Sequence, residues 1–112
     1  MSRILKSEEY ALLRFMIEQS GHVDLIHELN HASVNDMKDG DMGSLRFAAT
    51  STKMGSVLCE AESVDSDNIP LEISINLDEE GHLFELDIWK VNFSPLKTYP
   101  APSTLHFLNA KP

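Results

Sequence analysis

At 112 residues and 42% hydrophobic content the chain can build one domain core but has too little for a second, so a single domain over 1–112 is expected. Its 18 acids against 9 bases give a net charge of −9 and a pI near 4.8, which argues against nucleic-acid and anionic-membrane binding, both driven by Lys and Arg. No apolar run approaches the ~20 residues that span a bilayer, the opening MSRILKSEEY has no apolar signal region, and the lone Cys59 has no internal disulfide partner, so a cytoplasmic location is expected.

Ser7, followed by Glu8 and Glu9, reads as an N-cap with acids in the first helical turn. Leu12, Leu13, Met16 and Ile17 recur at helical spacing and Gly21 suits a stop, which predicts an amphipathic helix over 8–19. A shorter helix is expected over 22–31, with Leu25, Ile26 and Leu29 on its apolar side. The period then changes. Val34–Met37, Ser44–Thr50 and Val57–Val64 read as strands, separated by the Asp39-Gly40 turn and a polar stretch over 51–55.

Ile69, Leu71, Ile73, Ile75 and Leu77 alternate with polar residues, the period of a strand with one buried face. Pro70 within it implies an edge position or a strand start. Asp78-Glu-Glu-Gly81 closes a hairpin, with Gly81 expected in the left-handed region. The returning strand runs from His82 to about Phe93, with Phe84, Leu86 and Ile88 on one face and Glu85, Asp87 and Trp89 on the other. A last strand is expected near Thr104–Leu108. Helices followed by a meander predict an α+β domain: two N-terminal helices packed on an antiparallel sheet of about five strands, cored by Leu71, Ile73, Ile75, Phe84, Leu86 and Ile88.

The excess charge is local. Met54 to Trp89 contains no Lys or Arg but holds Glu60, Glu62, Asp65, Asp67, Glu72, Asp78, Glu79, Glu80, Glu85 and Asp87, while the rest of the chain is close to neutral. Half-exposed strands carry polar residues outward in any case. A stretch without one base exceeds that expectation and points to a basic protein partner, because complementary charge speeds association.

One motif points to an enzyme instead. His27-Glu28-Leu-Asn-His31 spells H-E-x-x-H, which on an α-helix places two imidazoles on one face to hold zinc, with Glu28 as general base. Five His among many Glu also produce such a string by chance. No spacing signals the third ligand, for which His82, His106, Asp36 and Asp39 are the available residues. Asp36–Asp41 and Asp65–Asn68 resemble pieces of calcium loops without the required spacing. Cys59, within a strand, reads as a small core residue more than as a nucleophile.

Asp39-Gly-Asp-Met-Gly-Ser-Leu-Arg-Phe47 and Leu83-Phe-Glu-Leu-Asp-Ile-Trp-Lys-Val-Asn-Phe-Ser-Pro-Leu96 together resemble a family of small bacterial proteins of unknown function. That family is similar in size and style to immunity proteins of polymorphic toxin systems. The resemblance covers most of 34–96 and carries no established activity with it; immunity proteins of that style are single-domain, acidic and cytoplasmic and neutralise a toxin by binding it.

The expected function is therefore non-enzymatic binding of a basic protein through Glu72, Glu85, Asp87 and Trp89, with no cofactor. Two alternatives stand beside it. One is a zinc hydrolase using His27, His31 and Glu28, and the other is a homodimer joined through an edge strand.

Overall fold

The computed structural model describes residues 2–48 and 53–108. Strands β1 (Arg3–Ile4), β2 (Ser33–Asp36), β3 (Leu45–Phe47), β4 (Met54–Val64), β5 (Pro70–Asp78), β6 (Leu83–Lys90) and β7 (His106–Leu108) form one sheet in the order β1-β2-β3-β6-β5-β4-β7. Every neighbouring pair is antiparallel. One α-helix, α1 (Ser7–Gln19), precedes most of them. The fold is α+β, with seven strands where about five were expected. The strand without a counterpart in the expected set is β1, two residues at the sheet edge and too brief to show a period. The expected ends of β3 at 49–50 and the first turn residues 51–52 lie outside the described residues.

The second helix is also corrected. Val23–Leu29 is a 3₁₀-helix, and Asn30 leaves it in an extended conformation. At the start of α1 the cap is Lys6, and Ser7 is already the first helical residue. The Glu9 carboxylate accepts the Lys6 backbone N–H at 2.8 Å, so an orphan donor of the helix end is met from within the helix. Arg3 donates to both Glu9 oxygens at 2.8 Å and to Asp36 at 2.6 Å, joining β1, α1 and β2. Those hydrogen bonds to Glu9 and then Asp36 raise the Arg3 pKa further.

Alternation sorts the strands into two faces. Ala61, Ile73 and Ile88 lie in one row, and Cys59, Ile75, Leu86 and Leu45 in the next. This face packs against Leu12, Leu13, Met16 and Ile17 of α1, all fully buried. Each such side chain stabilises by about 1.5–3 kcal/mol through burial. Phe15 of α1 meets Phe107 of β7 with ring centroids 6.0 Å apart. Pro70 is a strand start and not an edge residue, since β5 lies between β6 and β4.

Phe84 departs from the expected core. Phe84 and Glu85 stand opposite the single residue Asn76 in a bulge, which breaks the period of two. The Phe84 ring is buried, but under the Arg46 guanidinium at 4.7 Å and outside the main apolar cluster. In the hairpin that precedes it, Asp78 accepts the N–H groups of Glu80 and His82 at 2.9 and 3.0 Å, and Gly81 adopts φ +87° as expected. Gly55 sits at a register shift of β4, where a Cβ would come within 2.4 Å of the Asp78 carbonyl oxygen.

The most buried charge is Lys90, the last residue of β6. It follows Leu86 and Ile88 on the inner face and is 0% exposed. Its ammonium donates to Asp65 and Asp67, each at 2.7 Å, and to the Pro95 carbonyl at 3.1 Å. Asp65 also accepts the N–H groups of Ser66, Lys97 and Thr98 at 2.6, 2.8 and 2.9 Å. Burial alone would raise the Asp65 pKa, but Lys90 and these amides overcome it and hold the carboxyl well below the usual range. Burial would lower the Lys90 pKa, and the two carboxylates reverse that and raise it.

Removing one partner of a buried pair leaves an uncompensated charge, so Lys90→Met should lower the urea midpoint sharply while the same change at the exposed Lys38 leaves it nearly unchanged. The depressed Asp65 contributes stability at neutral pH that is lost as pH falls below its unfolded value of about 3.9 and towards the folded one. The raised Lys90 contributes stability that is lost as pH climbs above about 10.4. Urea titrations across pH should show both flanks, and the acid flank should shrink in Asp65→Asn.

Candidate docking face

The face of the sheet turned away from α1 collects the acids. Glu62, Glu72 and Trp89 form one cross-strand row, with His106 of β7 beside Glu62. Glu60, Ser74 and Asp87 form the next row, ending at Leu108. Glu60, Glu72, Ser74, Asp87, Trp89 and Leu108 border an open depression of about 240 Å³. Glu62 and Glu72 stand directly opposite each other, a like-charge pairing that costs up to about 1 kcal/mol in an antiparallel sheet.

The four residues expected to meet a partner are thus on one face, but they are not equally available. Glu72 and Asp87 are exposed, and Trp89 is 41% exposed. Glu85 is buried. It accepts the Asn76 side-chain N–H at 3.1 Å and pairs with Arg46 at 3.3 Å, so it ties β3, β6 and β5 together. Asp87 accepts the Ser44 hydroxyl at 3.1 Å. Partial desolvation raises the Asp87 pKa, and the charges of Glu85 and Asp39 add to that while Ser44 opposes it.

Several acids of the Met54–Trp89 stretch turn out to be internal. Asp65 and Asp67 hold Lys90, and Asp78 organises the hairpin. Their Asp-rich spacing, which resembles a calcium loop, serves a turn and a buried ion pair. Asp39 likewise accepts the N–H groups of Met42 and Ser44, both at 3.1 Å, and Asp36 pairs with Arg3. Glu62, opposite Glu72, joins the site through strand register, which period-2 reading of β4 alone could have placed on that face.

The H-E-x-x-H string loses its helical premise. In a 3₁₀-helix residues three apart eclipse, so positions four apart diverge by about 120°. His31 lies beyond the helix in the left-handed region, at φ +61°. The His27 ring nitrogen Nδ1 is engaged with the Asp24 carbonyl. Glu28 reaches the hairpin instead, accepting the Leu83 N–H at 2.9 Å and pairing with His82 Nδ1 at 2.9 Å. Among the described residues, no group of three or more His, Cys, Asp or Glu is placed to hold a metal ion.

Cys59 faces α1, with its thiol 3.8 Å from the Met16 carbonyl. Burial, with a lesser contribution from Glu60, pushes it up to about 11, so the nucleophilic thiolate is scarce at neutral pH. Among the described residues, no helix is long and apolar enough to cross a membrane.

These features define an α+β domain with one face packed on a helix and the other open and acidic. The chain belongs to the family described as Domain of unknown function (DUF6984), which it matches over residues 2–100. No curated protein and no solved structure matches it.

The His82–Glu28 pair can be tested directly. The hydrogen bond to Glu28 raises the His82 pKa, so the pair contributes stability below about pH 6.5 that is lost as pH rises through the raised value. With His82 exposed, that contribution is small. NMR titration should place His82 above the ordinary imidazole value, and Glu28→Gln should bring it back towards about 6.5.

Proposed function

We propose that this chain is a non-enzymatic binding domain whose open sheet face receives a basic protein, in the manner of an immunity protein that neutralises a toxin by occupying it. The observation that carries this reading is the direct opposition of Glu62 and Glu72 beside Asp87 and the exposed Trp89, on the face that α1 does not cover. A sheet gains nothing for its own stability from facing like charges. A cationic partner would convert that repulsion into complementarity and gain on-rate from the field.

Strand addition between two copies has less support. Among the described residues β7 pairs with Glu60–Glu62 of β4, and the stretch of β4 before it carries two register shifts that bend the ladder. The basic-partner reading also accounts for Trp89, since large aromatics anchor interfaces.

The test uses oligolysine as the probe. Binding followed by NMR should shift resonances of Glu62, Glu72, Ser74, Asp87 and Trp89 and weaken steeply with added salt. The charge reversals Glu72→Lys and Asp87→Lys together should weaken it about tenfold or more. Glu72→Lys alone should be at least as stable as the wild type, because it turns the facing like-charge pair with Glu62 into an opposite-charge pair, whereas Asp87→Lys also gives up the Ser44 hydrogen bond. Shifts scattered over the molecule, or unchanged affinity in the double variant, would overturn the reading.

A further inference from the structure

On the open face, the row beyond Glu62, Glu72 and Trp89 is apolar. Val64 stands opposite Pro70, and the Val91 N–H donates to the Pro70 carbonyl at 3.2 Å, so Val64, Pro70 and Val91 continue the acidic strands by one further repeat. Val64 is 55% and Val91 39% exposed. Phe93 completes the group. Its ring meets Trp89 edge-on at 4.7 Å and is 66% exposed.

Phe93 is held there against its backbone preference. Its φ is +66°, in a turn closed by its N–H donating to the Lys90 carbonyl at 2.8 Å. Left-handed positions favour Gly or Asn, and a bulky aromatic there is a rare and strained choice. Glycine would close the same turn with less strain. A ring that is both strained and exposed gains little for the fold, and such outliers concentrate where a surface has work to do.

Resting on the function proposed above, we infer that the partner is amphipathic: it seats an apolar side chain on the ledge of Trp89, Phe93, Val91 and Val64, and places Lys or Arg over Glu62, Glu72 and Asp87. Successive rows of one strand face lie about 6.6 Å apart. Apolar and cationic groups of the partner therefore sit about that distance from each other, as neighbouring turns of an amphipathic helix provide. Desolvated aromatics supply the contact energy and the acids supply orientation and rate. A purely polycationic partner would leave the ledge wet.

The experiment compares two probes on the intact chain: oligolysine, and a peptide of repeated Leu-Lys-Lys-Leu of equal length. The wild type should bind the Leu-Lys peptide more tightly, with a blue shift of Trp89 fluorescence, and should keep binding it in about 1 M NaCl, where charge attraction is screened. Oligolysine should be released under the same salt. Phe93→Gly, which keeps the turn, should reduce the Leu-Lys peptide to the affinity of oligolysine with Tm unchanged or raised. Val64→Ser, away from the Trp89 stack, should weaken the Leu-Lys peptide alone and serves as the second variant if Phe93→Gly loses stability. Equal binding of the two probes, or no response to either variant, would overturn the ledge while leaving the acidic face standing. Failure of both probes at low salt would overturn the acidic face as well.

Discussion

The buried ammonium of Lys90 is the constraint on which the rest of the molecule depends. It draws the Asp65–Asn68 turn, the end of β6 and the Pro95–Thr98 segment onto one point. Because side chains alternate along a strand, turning Lys90 inward turns Trp89 outward, and a slip of one residue would exchange them. Exchange would leave Asp65 buried without its cation and put an indole against two carboxylates. The ion pair thus acts as a register lock, and the outer face inherits its composition from it.

The same lock shapes the electrostatics. Lys90 is the first base after the acidic stretch, and its charge is spent inside on Asp65 and Asp67. Arg46 sits on the outer face but is committed to Glu85 and the Phe84 ring. Glu62, Glu72 and Asp87 therefore stand in a row-and-neighbour pattern with no ion pair to a Lys or Arg among the described residues. The apolar inner face, with Ile75, Leu86 and the α1 leucines fully buried, supplies enough stability to tolerate that repulsion. Apolar packing and exposed negative charge are separated onto the two sides of one sheet.

Much of this was legible in the sequence, for specific reasons. The alternation from Leu71 to Leu77 and the Asp78–Gly81 turn identify the β5–β6 hairpin, because strand period and turn chemistry are local. The outward side of β6 follows from the same alternation. Phe84 was misplaced because one inserted residue shifts the period, and nothing in its neighbours announces a bulge. The 22–31 segment carries apolar residues that fit an α-helix or a 3₁₀-helix, and only tertiary contacts such as Glu28 to the hairpin decide between them. The roles of Asp65 and Asp67 depend on a partner far along the chain. One signal did exist: Lys90 follows Leu86 and Ile88 at inward positions, and a cation there requires buried carboxylates.

The most direct measurement exploits the single tryptophan. Quenching of its fluorescence by caesium and by iodide reports both the exposure of Trp89 and the sign of the charge around it. An open face bearing Glu62, Glu72 and Asp87 predicts efficient quenching by caesium, weak quenching by iodide, and convergence of the two as salt screens the field. Equal quenching at low ionic strength, or stronger quenching by iodide, would contradict an acidic face around Trp89. Resistance to both ions would place the indole in the interior and contradict the register that Lys90 imposes.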